Sequence, residues 1–294
     1  MTIQAKIIAD SITVSTPRLT TLQLRYPRFV HAEFMTHRVF SRNASSSRAI
    51  PVERMIRDVE EDPAMPVYWG ANQKGMQARA EVEDVEKARD RWMKARDAAV
   101  KQAWSLHHAG LHKQIVNRVL EPFAHINVVV TSTEWDNFFA LRLHEDAQPE
   151  IRELAVQMKQ AMANNHPRYL GVREWHLPYV RPADINEVDR RVSAQLKSVP
   201  DEKTEWKLLG EILSTLAQIS AARCARVSYM THDMRTPTIE EDLDLFARLS
   251  TADPPHLSPL EHQAYPDWNT SKRDLWGNLS GWVQHRKMLE RSYE

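Results

Sequence analysis

Glycine scarcity constrains this chain more than any other feature: seven glycines occur in 294 residues, and no two stand in a G-x-G spacing. The dinucleotide fingerprint and the P-loop both need glycine where backbone approaches phosphate, so neither can be built here. Any phosphate site must therefore rest on side chains. The single cysteine, Cys224, excludes intrachain disulfides and cysteine-based zinc sites and fits a reducing compartment. Thirty-nine basic residues balance thirty-nine acidic ones, which argues against nucleic acid or a membrane surface as partner. With 42% apolar and 27% charged residues, the composition suits a globular chain with a real core. The opening residues show no signal-peptide pattern and no apolar run is long enough to span a bilayer. A soluble, cytoplasmic protein is expected, in the host cytoplasm if viral.

Along the chain, RLTTLQLRY (18–26) alternates, with Leu22, Leu24 and Tyr26 on one side, and reads as a half-buried strand ended by Pro27. In RFVHAEFMTHRVF the helical spacing of Val30, Phe34, His37 and Arg38 puts the last two at the end of a short helix. SRNASSSRAIPVERM reads as a polar loop, and 61–82, broken by Pro and Gly, as an irregular connection. A long helix is expected from Asp84 to Ala109, stopped by Gly110, and a second from Leu111 to near Pro122. A third, after INVVVTSTEW, carries Trp135, Phe138, Phe139 and Arg142. A fourth runs from Ala147 to Ala163. Residues 179–203 read as a covering loop or linker. Helicity returns from Thr204, and Thr238 with Glu241 forms a capping box ahead of the next helix.

Residues 37–48, HRVFSRNASSSR, gather Arg38, Arg42 and Arg48 with His37, four serines and Asn43, and contain no acid. Such a loop offers bidentate donors and hydroxyls to a phosphate or an anionic ring, or it is simply solvated. Arg142 follows Trp135, Phe138 and Phe139 on one helix face, so its guanidinium either pairs with Asp146 or Glu150 or is aimed into a pocket to meet an anion. Arg118 repeats the pattern more weakly after Leu111 and Ile115. HLSPLEH sets His256 and His262 around Ser258 in a proline-fixed turn. Two histidines and Glu261 do not specify zinc in type or spacing, so no metal is expected. Cys224 reads as a small buried hydrophobe.

HRVFSRNASSSR resembles the R-H-R-x-x-S-x-N-E-x-S-x-R-Y signature of the flavin-dependent thymidylate synthases, with His37, Arg38, Ser41, Asn43, Ser46 and Arg48 matching in position. NFFALRLHEDAQPEIRELA is similar to that family's N-F-x-x-L-R…A-Q-x-E-I helix pair, and NRVLEP to its A-R-x-x-L-P. ARVSYMTHDM…PHLSPLEH (225–262) is similar to a segment that in the family precedes the arginine motif, so the chain is identified as a circularly permuted, phage-like member. The resemblance implies one domain over 1–294: 1–165 with the arginine motif and helical core, 166–220 bridging, and 221–294 as the permuted flavin-binding segment and tail. The implied fold is α+β, long helices on a small, mainly antiparallel sheet.

The same resemblance implies FAD held by His37, Arg38, Val39, Asn137, His256 and Ser258. It places a pyrimidine deoxynucleotide monophosphate against Glu33, Ser46, Ser47, Arg48, Arg118 and Arg142, with Arg142 as the catalytic cation facing the pyrimidine. The implied reaction is methylation of dUMP to dTMP with methylenetetrahydrofolate and NADPH, in a homo-oligomer, a tetramer, whose sites draw on more than one subunit. Five departures surround the ligands: Thr36 for the first arginine, Ala44 for glutamate, Ala49 for tyrosine, Glu33 for a glutamine, and TST (131–133) for N-x-R. They leave a dUMP hydroxymethylase or a dCMP-directed enzyme open, and a non-catalytic nucleotide-binding module remains a rival.

Overall fold

The computed structural model describes residues 3–194, 201–227 and 235–292; Ser228–Met234 of the ARVSYMTHDM segment lie outside them. β1 (Gln4–Ile12), β2 (Leu19–Pro27), β3 (Ser41–Ala44), β4 (His125–Ser132) and β5 (Arg168–Tyr169) form one sheet in the order β3-β4-β2-β1-β5. All its pairs are antiparallel except β1 with β5. β6 (Ala264–Pro266) and β7 (Trp282–Gln284) form a separate antiparallel ribbon. The helices are α1 (His31–Met35), α2 (Val52–Glu61), α3 (Val85–His108), α4 (Lys113–Val116), α5 (Asp136–Arg142), α6 (Pro149–Ala163), α7 (Pro182–Ser193), α8 (Glu202–Arg226), α9 (Ile239–Ser250) and α10 (His285–Arg291). The architecture is the expected α+β one. Among the described residues no helix is long and apolar enough to cross a membrane.

The register explains the core. Leu22 faces Val130, Leu24 faces Val128 and Tyr26 faces Ile126 across β2 and β4, so one sheet face is a continuous apolar surface. Ile151, Leu154, Ala155 and Met158 of α6 pack on it, with Phe34, Phe40, Trp135 and Phe138 filling the end nearest α1 and α5. Each such full burial of a Leu or Ile contributes about 1.5–3 kcal/mol. The opposite face is covered too: Val129 packs with Tyr179, Cys224 and Val227, and Leu19 and Thr21 are fully buried. β2 is therefore buried on both faces rather than one, because the C-terminal half of the chain lies across its Thr side. Cys224 is the expected buried thiol, with burial pushing its pKa up.

Several local expectations fail for identifiable reasons. Ser41–Ala44 is an edge strand rather than loop, because hydrogen bonding to β4 overrides its polar composition. The end of that expected loop, from Val52, enters α2, whose Val52, Met55, Ile56 and Val59 pack against Val100 and Ala103 of α3. INVVVTS, to which no element was given, forms the inner strand β4 between β3 and β2. The second helix is short, α4 followed by a 3-10 turn through Phe123. Residues 182–193, expected within a covering loop or linker, are a helix: α7 buries Asp184, Val188 and Val192 at helical spacing. An acid at one position of that face disguised the stripe, and it is accommodated by the fully buried Arg223, which bonds Asp184 at 2.6 Å and Asp242 at 2.9 Å. That network joins α7, α8 and α9. The Thr238–Glu241 capping box forms as read.

Candidate active site

Proline 27 ends β2, and a 3-10 turn (28–30) leads into α1, which stops at Met35. His37 and Arg38 therefore sit in the turn just past the helix. The turn is fixed from inside by Arg42, whose Nη1 donates to the carbonyls of Met35 and His37, both at 2.9 Å. The His37 ring lies between Phe40 and Phe138, with centroids 5.8 and 4.9 Å away.

Arg142, at the end of α5, takes neither acidic partner. Asp146 pairs with Arg79, and Glu150 accepts from the Val67 amide. Instead Arg142 Nε donates to His37 Nε2 at 2.9 Å, and Nη2 to Thr36 Oγ1 at 3.2 Å and the Glu33 carbonyl at 3.4 Å. Nη1 donates to no protein atom among the described residues. Burial first, then the positive charges of Arg142 and Arg42, hold the His37 pKa down to about 4. The ring is thus neutral near pH 7, and since Nε2 accepts, its proton is on Nδ1.

Beside this cluster opens a cavity of about 700 Å³ with Glu33 and Arg142 in its wall. Phe29, Tyr68 and Trp92 supply flat apolar sides suited to a planar ring. The irregular connection 61–82, together with residues 145–150, lines the rest of the cavity. It folds back on itself through a bridge between Gly70 and Glu81 and is fastened by the Arg79–Asp146 and Val67–Glu150 contacts. Glu33 Oε2 is buried without a hydrogen-bond partner.

The remaining expected residues fall in three places. Ser47 is buried, its hydroxyl donating to Glu121 at 2.7 Å, and Arg118 bonds the same carboxylate oxygen at 2.9 Å. Ser46 and Arg48 are exposed beside them, and among the described residues nothing pairs with the Arg48 guanidinium. Arg38 and Asn137 are exposed, their side chains unpartnered among the described residues, and Val39 is exposed by 43%. His256 and Ser258 are exposed. Among the described residues no hydrogen bond links Asn137, His256 or Ser258 to the His37–Arg142 cluster.

Two features escaped the sequence reading. A buried hydrogen-bond chain runs Ser11–His176–Thr21–Thr131–His262, with successive distances of 2.8, 2.8, 2.6 and 2.7 Å. It ties the HLSPLEH turn and residue 176 to β1, β2 and β4, and takes Thr131 out of the TST run. The only signal was the second histidine of HLSPLEH. The other is a turn, 276–281, lying against residues 39–41 and 133–134; its Trp, Gly and Asn spacing carried no readable motif.

Residues 18–168 match the family model of the thymidylate synthase complementing protein. Among solved structures, the chain is similar to the UMP/dUMP methylase PolB from Streptomyces cacaoi bound with 5-Br UMP, at 19% identity over 55% of this chain and 88% of that one, TM-score 0.46. The form bound with 5-Br dUMP aligns at 21% identity over 50% of this chain and 67% of that one, TM-score 0.42. No curated protein matches the sequence significantly.

Proposed function

The chain belongs to the thymidylate synthase complementing protein family, the flavin-dependent thymidylate synthases, and on that premise we propose that it transfers one carbon to C5 of a pyrimidine deoxynucleotide, converting dUMP to dTMP with methylenetetrahydrofolate and NADPH. One observation carries this reading. The Arg142 guanidinium is held by three neutral acceptors and no carboxylate, so its full charge is available to a ligand in the adjoining cavity. In a site with aromatic walls such a cation stabilises negative charge developing on a pyrimidine ring far better than it would in water. The free Nη1 donates to the ring, and His37 keeps the guanidinium in place.

The donor set suits FAD. Arg38 offers a free guanidinium for a diphosphate, the Nδ1–H of His37 and the Asn137 amide suit polar ring atoms, and Val39 gives an apolar contact. When bound, the flavin supplies the reducing equivalents drawn from NADPH. Arg48 and Ser46, with Arg118 behind Glu121, take the nucleotide phosphate. The exposure of Asn137, His256 and Ser258 supports their serving a site completed by a neighbouring copy, hence a homo-oligomer and a tetramer. In this reading 1–165, the bridge 166–220 and the permuted segment 221–294 make one domain.

The unpartnered Glu33 oxygen favours a second reading. A buried acceptor without a donor costs about 1–3 kcal/mol, and the amino group of a cytosine would satisfy it, which points to dCMP. Incubation with dUMP or dCMP, methylenetetrahydrofolate, FAD and NADPH, followed by mass spectrometry, separates the outcomes. A gain of CH2 with NADPH consumed means methylation. A gain of CH2O without NADPH consumption means hydroxymethylation, the added water supplying the oxygen. No gain on either nucleotide refutes the proposal.

A further inference from the structure

The tail turn 276–281 leads into β7 and matches nothing in the family's usual pattern, yet it bonds both to the turn assigned to the flavin and to residues 133–134 just past β4. Asn278 Nδ2 donates to the Val39 carbonyl at 2.8 Å and lies 3.0 Å from Ser41 Oγ. Its Oδ1 accepts from Gln284 Nε2 at 2.9 Å, and Gln284, 1% exposed, also donates to the Glu261 carbonyl at 3.1 Å. Two residues on, the Ser280 amide donates to Thr133 Oγ1 at 3.2 Å and its hydroxyl to Glu134 at 3.0 Å. The turn is made for close approach. Gly277 has φ +57, and a Cβ there would lie 2.5 Å from Gln284 Oε1, so a side chain is excluded by conformation and by space. Beyond it, the fully buried Trp282 anchors β7, its Nε1 donating to the Pro17 carbonyl at 2.9 Å.

We infer that this turn is a clamp that sets the flavin-binding surface: Asn278 fixes the turn carrying His37, Arg38 and Val39, and Ser280 fixes Thr133 and Glu134, just past β4, against it. The inference rests on the proposed flavin dependence. Both Asn278 amide hydrogens are engaged by Val39 and Ser41, so it acts through them as a positioning residue. Arg42 holds the same turn from the other side through the Met35 and His37 carbonyls. Without the clamp, Arg38 and Val39 are left on a segment fixed on one side only, and binding must supply the ordering that the clamp now provides. The TST run, lacking the family's N-x-R donors, is pinned by Ser280 through Thr133.

The test is FAD affinity, read by quenching of flavin fluorescence with the full-length protein, beside thermal midpoints for every variant. Asn278→Ala and Asn278→Asp should each weaken FAD binding about tenfold, the size of one lost hydrogen bond. The Asp variant keeps shape and the acceptor for Gln284 but loses the donor to Val39. Arg286→Ala removes the tail's ion pair with Glu261, away from the turn, and should lower the midpoint while leaving FAD affinity unchanged. Equal FAD affinity in wild type and both Asn278 variants overturns the inference. So does a loss in Arg286→Ala matching that in Asn278→Ala, since general loosening would then explain both. A wild-type protein that binds no flavin overturns the functional reading itself, and is told apart by that result alone.

Discussion

Acidification should unfold this protein through histidines kept neutral inside it. His176 and His262 are the two rings of the buried chain that docks the C-terminal segment on the sheet, and burial foremost holds each pKa down to about 3. The folded values lie below the unfolded one, near 6.5, so between them the unfolded state binds more protons. Stability is complete above the unfolded value and is lost as pH falls from about 6.5 toward 3. At about pH 5 each ring removes about 2 kcal/mol, from 2.303RT times the interval titrated, and the pair about 4 kcal/mol. That is a large part of a typical total of about 5–15 kcal/mol. His37, His125 and His285, each held to about 4, act in the same direction. The part of that interval above about pH 5 lies above the ordinary carboxylate values of about 4, so it is governed by the histidines. Guanidinium unfolding followed by far-UV circular dichroism at about pH 8 and about pH 5 should show the midpoint falling sharply. A midpoint constant over that interval, or a His262 resonance titrating near its ordinary value, refutes the buried-chain account.

Replacing Asp242 with Ala strips Arg223 of one of its two carboxylates at 1% exposure and should cost about 3–5 kcal/mol in chemical denaturation; a loss below about 1 kcal/mol would show the network is solvated. Arg142→Ala should cut kcat/KM by about 100-fold, the scale of one lost charge-stabilising donor, and raise the His37 pKa toward its ordinary value in an NMR titration because a neighbouring cation is gone. Full turnover in that variant contradicts its assigned role.

What the sequence disclosed depended on whether the signal was local. β2 was legible from its alternation, α3 from its spacing and the stop at Gly110, and α9 from Thr238 and Glu241, since each rests on residues within a turn or two. β3 was not, because Ser41–Ala44 is a strand only by virtue of β4. α7 was not, because Asp184 looks polar until Arg223, 39 residues later, is placed against it. At the site, the motif and the aromatic face of α5 singled out His37 and Arg142 separately. That one bonds the other, in preference to Asp146 or Glu150, follows only from the way α1 and α5 close over Phe40 and Phe138. The part of the cavity wall supplied by 61–82 and the 276–281 clamp come from segments without a recognisable pattern, so nothing in the chain advertised them.

Substitution at C5 must expel the hydrogen already there, whichever base is used and whether a methyl or a hydroxymethyl group results. Release of tritium from [5-3H]dUMP and [5-3H]dCMP into water, with methylenetetrahydrofolate, FAD and NADPH present, tests the central claim most directly. Release from one of the two nucleotides that depends on the one-carbon donor and is abolished by Arg142→Ala is the predicted result. Retention of the label in both, by a protein that binds FAD and the nucleotides, would contradict it.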